Sequence, residues 1–203
     1  MKSDRRVSNY FLFFAVWFFV GSVLVINGDR VLAILGLPQI SYDIENQNSE
    51  LLNQLFLWGE NKPKDFTWYK VMVTQSTNNT PSGLNPVIES ATAILGGYYE
   101  GHKVGILHQI RQYAHPEKLD ATYLDPRAEG SFSDVFASLD WLIISDIQTQ
   151  RCVSSLDNST LCHASVVIGD QVVDIEVNYQ SSDPAQVKQL MNILLEAQLE
   201  KSK

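Results

Sequence analysis

Residues 164–199 read ASVVIGDQVVDIEVNYQSSDPAQVKQLMNILLEAQL, and this stretch carries the fold. Two apolar, β-branched runs, Ala164 to Ile168 and Gln171 to Tyr179, are joined by Gly169-Asp170. A glycine-led two-residue connection between such runs predicts a tight hairpin. Asp183, Pro184 and Gln186 then stand at the N-cap, N1 and N3 positions of a closing helix. Val187, Leu190, Met191, Leu194 and Leu195 form its apolar face, and Lys201 and Lys203 suit its carbonyl end.

Working back from the hairpin, Trp141 to Gln148 reads WLIISDIQ and predicts a further strand. Phe132, Val135, Phe136 and Leu139 recur at helical spacing, with Ser131 or Ser133 as cap. Val104 to Tyr113 fits neither period cleanly and is read as a strand. Asn85-Pro86 resembles an N-cap and first helical residue, which predicts a short helix to about Leu95 stopped by Gly96 and Gly97. Phe66 to Thr74, FTWYKVMVT, alternates like a strand, and an amphipathic helix is predicted over Asp43 to Leu57 with Ile44, Leu51, Leu52, Leu55 and Phe56 on one face. The order describes an α+β domain with a mostly antiparallel sheet flanked by helices, the layout of PAS-, GAF- and Cache-like sensor domains.

In front of this domain Phe11 to Ile26, FLFFAVWFFVGSVLVI, carries no charge and departs from the apolar set only at Gly21 and Ser22. With Tyr10 and the lead-in from Val7 it reaches about 30 Å as a helix, the thickness of a hydrocarbon core. Lys2, Arg5 and Arg6 precede it against Asp4 alone, which keeps the head in the cytoplasm and exports the rest. A cleaved signal peptide is the competing reading, but no small-x-small site follows in VLVINGD. The predicted organisation is a cytoplasmic head 1–10, a transmembrane anchor 11–26, a membrane-proximal connector 27–58 and an exported domain 59–203. Within the connector, Val31 to Leu37 is too short to span and reads as a surface segment ended by Pro38.

Setting aside Asp4, Asp29, Lys2, Arg5, Arg6 and Arg30, the 23 acids and 15 bases become 21 against 11, a balance of about −10 on the exported side. That charge disfavours nucleic acid as a partner. Cys152 and Cys162 enclose the polar loop VSSLDNSTL, and in an oxidising compartment they are most simply a disulfide; two buried thiols are the alternative.

Little in the sequence speaks for catalysis or metal. His102, His108 and His115 are six and seven residues apart, which does not gather them on one strand or helical turn, and His163 merely follows Cys162. Asp134, Asp140 and Asp146 stand singly, and Gly96-Gly97-Tyr98-Tyr99-Glu100-Gly101 lacks the lysine of a phosphate loop. The expectation is a non-enzymatic protein without metal or cofactor, and no ligand-binding residue is assigned. Asn78-Asn79-Thr80 and Asn158-Ser159-Thr160 match glycosylation acceptors in predicted loops.

A short charged head, one membrane helix, Gly28-Asp29, a helical connector, the Asp65-Phe66-led strand, an exported cysteine pair and a closing hairpin and helix over Val172 to Leu199 resemble the holins of T-even-like phages. The resemblance implies a membrane helix that assembles into a lethal lesion and a periplasmic domain that receives an antiholin. It lies in the layout, and the head and the cysteine spacing here are shorter than in that family. The broader expectation is a bitopic bacterial inner-membrane protein whose periplasmic sensor-like domain binds a small ligand or a partner protein and regulates a membrane event. Its partners are then the bilayer, itself or another protein. An envelope assembly or transfer-complex component is the third reading.

Overall fold

Strand register organises this domain more than helix packing does. The computed structural model describes residues 39–43, 50–57, 62–77, 85–129, 136, 139–154 and 158–202, the first five as backbone only. In chain order the elements are β1 (Gln39–Asp43), α1 (Glu50–Gln54), β2 (Phe66–Ser76), β3 (Val87–Tyr99), β4 (His102–Tyr113), 3-10 turns at Pro116–Lys118, Ala121–Tyr123 and Pro126–Ala128, β5 (Gln148–Ser154), β6 (Thr160–Ile168), β7 (Gln171–Tyr179) and α2 (Pro184–Lys201). They form one sheet in the order β1-β2-β3-β4-β7-β6-β5, antiparallel at every pairing from β2 to β5. Two meanders, β2-β3-β4 and β5-β6-β7, thus join along β4 and β7, which gives the expected α+β class.

The closing hairpin and helix form as their residues dictate. Gly169 takes a φ of +61° in the turn between β6 and β7. Asp183 accepts the Ala185 N–H at 2.9 Å as N-cap of α2. Gln186 does not reach back directly: Ser181 Oγ donates to its Oε1 (2.7 Å) and accepts the Asp183 N–H (3.2 Å). Val187, Leu190, Met191, Leu194 and Leu195 are all buried, in one core with Leu51, Leu55 and Phe56 and with inward side chains of the sheet such as Val71, Ile106, Val166 and Ile175. Each fully buried side chain of that kind contributes about 1.5–3 kcal/mol of transfer energy.

The helix expected from Asn85 to Leu95 is instead the strand β3. Asn85 does not cap a helix: its amide donates to His115 O and its Oδ1 accepts the His115 N–H, both at 2.8 Å, clasping the open end of the β3–β4 hairpin. The other end turns through Glu100 and Gly101, with φ of 49° and 82°, the two left-handed residues of a type I′ connection. Alternate burial of Ala91, Ala93, Leu95 and Tyr99 rewards the extended form, and a helix would have left β2 and β4 without a neighbour.

Gly96 and Gly97 therefore lie inside β3 and stop nothing. A Cβ on Gly97 would collide with the Thr67 carbonyl and the Trp68 ring, where the β2–β3 register shifts. Gly97→Ala is expected to destabilise by about 2 kcal/mol through this overpacking, read as a lower denaturant midpoint at unchanged slope.

Three further expectations are corrected or only partly met. Of the strand predicted at Trp141 to Gln148 only Gln148 is in a strand. Side chains satisfy that backbone in place of a ladder: Leu142 N–H donates to Asn192 Oδ1, Ile144 N–H to Gln148 Oε1, and Gln148 Nε2 to Leu142 O. The helix predicted over Asp43 to Leu57 is shorter, since Asp43 ends β1 and α1 spans Glu50–Gln54, while residues 44–49 lie outside the described residues. Most of the helix predicted around Phe132 to Leu139, and the anchor 11–26, also lie outside them. Among the described residues no helix is long and apolar enough to cross a membrane.

Val104 to Tyr113 is strand, as read. Cys152 and Cys162 are direct cross-strand partners of β5 and β6, at disulfide distance with a Cα–Cα separation of 4.1 Å. A bond there closes a loop worth about 3 kcal/mol by the chain-entropy argument.

Candidate functional site

Alternation along each strand sends one set of side chains to the α2 core and the other to the opposite, outer face of the sheet. Register lines the outer set into rows. Gln109, Asp174 and Ser165 are neighbours across β4, β7 and β6, and Leu107, Glu176 and His163 form the adjacent row. The segment after β4 folds over part of this face. Leu119 and Leu124 pack with Tyr113, Val167 and Val172 as a second small core, and the caps Asp120 and Asp125 fix its last two 3-10 turns.

This brings two arginine–carboxylate assemblies together. Arg111 Nη2 donates to Asp174 Oδ2 at 2.7 Å, and Ser165 Oγ donates to Asp174 Oδ1 at 2.5 Å. Ser165 Oγ also accepts the Asp125 N–H at 2.9 Å, tying the turn to the sheet. Arg127 reaches Asp125 Oδ2 through Nη2 at 2.6 Å and Nε at 2.9 Å, and Glu176 Oε2 through Nη1 at 2.8 Å. His163 Nδ1 stands 3.5 Å from the same Glu176 oxygen. Between the sheet and the turns lies a cleft of about 460 Å³ with Gln109, Arg111 and Asp174 on one side and Tyr123, Asp125 and Arg127 on the other.

The electrostatics follow from these contacts. Burial alone would raise the Asp125 carboxyl, but hydrogen bonds and charge from Arg127 outweigh it and hold the group below the usual range. Asp125 in turn raises Arg127. Burial lowers His163, with Arg127 adding to the effect and Glu176 opposing it, so its imidazole is neutral at pH 7. The cleft thus presents fixed charges of both signs, already ionised.

The residues singled out from the sequence are dispersed. Cys152 and Cys162 face the core, on the far side of the sheet from the cleft. His102 Nδ1 lies 3.0 Å from Gln180 O, His108 is wholly buried, and His115 is exposed beside Glu117. Asp140 and Asp146 are exposed, and Asp134 lies outside the described residues. Among the described residues no three His, Cys, Asp or Glu side chains converge as a metal site. Sequence reading missed Arg111, Asp125, Arg127 and Asp174. The available signal was a charge inside a strand pattern, Asp174 within VVDIEV and Arg111 within HQIRQY, because a charge on a sheet face beneath a loop needs a partner.

The fold and site define an α+β domain with one helix-covered sheet face and one partly open face. Comparison with known families, curated proteins and solved structures finds no match.

Proposed function

We propose that this chain is a non-enzymatic, single-pass membrane protein whose exported domain receives a small polar ligand in the loop cleft and regulates a membrane event. The observation that carries the reading is the preformed cleft between a sheet and a segment of 3-10 turns, lined by arginines and carboxylates. Its carboxylates are neutralised by arginine, an arrangement for recognising charge and a poor one for moving protons. Ligands bearing both an anionic and a cationic group match the lining. The acidic, charge-free-at-the-front sequence supports export behind the 11–26 anchor and disfavours nucleic acid.

The test is thermal unfolding of the full chain in detergent with amino acids and short peptides at 10 mM. A ligand at ten times its Kd adds about 1.4 kcal/mol, a rise of about 3 °C for a domain of this size. At least one compound is expected to give that rise, and Arg127→Gln to abolish it. A flat panel ends the reading. The second reading, a protein partner, draws on the open half of the outer face, where Ile94 and Tyr98 are 46% and 42% exposed; it predicts a stable complex on copurification that Ile94→Lys disrupts.

A further inference from the structure

The outer face holds a second cleft, away from the loop, at the end of the sheet where β3 turns into β4. Its floor is Gly105, opposite Gly96 on β3 and Asn178 on β7. Tyr69, Lys103, Ser159, Asn178 and Gln180 line it, around about 270 Å³.

Gly105 has no reason in the fold. Its φ is not among the positive values found at Gly101 and Gly169, and a Cβ built on it meets nothing within 4 Å. The neighbouring glycines contrast with it. Gly97 makes room for Trp68, and a Cβ on Gly96 would come within 3.2–3.3 Å of the Tyr69 ring. A glycine inside a strand weakens it, and where neither dihedral nor packing demands one, it marks close approach by something else. What a side chain at 105 would remove is the empty volume of the cleft.

The walls define the chemistry of that occupant. The register shift between Trp68 and Lys70 sets Tyr69 over Gly96 on the outer face, with its ring centroid 5.7 Å from that of Tyr98. Lys103 is opposite Tyr98, and Lys70 opposite Gly96. Among the described residues neither lysine has an ion-pair partner, although the chain as a whole is strongly acidic. Asn178 and Gln180 add amide donors and acceptors. The volume is below that of drug-sized sites.

We propose that this cleft binds a small carboxylate built on a single flat ring, with the ring over Gly105 against Tyr69 and the carboxylate toward Lys103. The site is separate from the loop cleft and stands whether or not the reading of that cleft does.

The experiment is saturation-transfer NMR and affinity titration of the full chain in detergent with 4-hydroxybenzoate as probe and 4-hydroxybenzyl alcohol as the uncharged control. Wild type is expected to bind the carboxylate below 10 mM and the alcohol about tenfold more weakly. Gly105→Val places methyl groups in open space on a β-branched residue, so it is expected to keep or raise the unfolding temperature while losing binding at least tenfold. Lys103→Ala is expected to weaken the carboxylate and leave the alcohol unchanged. Failure of wild type to bind the carboxylate at 10 mM overturns the proposal. So does equal binding of the alcohol, or unaltered binding by a folded Gly105→Val chain.

Discussion

Between pH 7 and pH 4 the domain is expected to lose about 3 kcal/mol of stability through His108 alone. Its imidazole is wholly buried, stacked on Phe56 with ring centroids 4.0 Å apart. The Phe56 N–H donates to its Nδ1 at 3.3 Å, which leaves the ring proton on Nε2. Gln198 is the polar side chain acting on the ring, and Nε2 and Gln198 Oε1 each fall short of a fully formed hydrogen bond. Burial dominates and pushes the group down from 6.5 to about 3, with Gln198 opposing and Lys201 adding slightly.

The sign follows from proton counting. From pH 6.5 down to about 3 the unfolded chain binds a proton at this position and the folded chain does not. Stability therefore rises with pH throughout that window and is lost as pH falls. His163, also lowered by burial, works in the same direction, whereas Asp125 begins to contribute only in the more acidic carboxylate range. Urea unfolding from pH 7 to pH 4 should show a slope approaching 1.4 kcal/mol per pH unit from this site. His108→Asn keeps an acceptor near the Nδ1 position without titrating, so its curve should be flatter even though it starts from lower stability. Parallel curves for the two chains would refute the assignment.

Arg111→Met is expected to destabilise by about 3 kcal/mol, the lower end for a broken buried pair, because the arginine side chain is itself 25% exposed. Asp174 is only 6% exposed and would keep Ser165 as its side-chain hydrogen-bond donor. The loss is thus mainly that of a carboxylate left without its cation. Replacing both, as Arg111→Met with Asp174→Leu, should recover most of it, since neither charge then remains to be solvated. A double-mutant cycle in denaturant would check this, and additive single effects would show that the pair is not coupled.

Much of the fold was legible in short patterns. The β6–β7 hairpin and α2 carried consistent turn, cap and periodicity signals within one local stretch, and all formed. The failures came where local signals were ambiguous and partners distant. Asn85-Pro86 has the chemistry of a helix start, but Asn85 is spent on His115, thirty residues away. WLIISDIQ has the composition of a strand, yet the amides of Gln148 and Asn192 took its backbone groups. Both clefts were illegible for the same reason, since the residues lining each one come from segments far apart in the chain.

By itself, then, the sequence determined the α+β composition, the closing hairpin and helix, and the cysteine pairing across adjacent strands, because each rests on spacing within a few residues or on one short loop. The tertiary structure alone decided that residues 87–99 are strand, that β4 and β7 join the two meanders, and that one sheet face stays partly open. Those outcomes depend on which strand lies beside which, and pairing energy is shared between segments that local periodicity never compares.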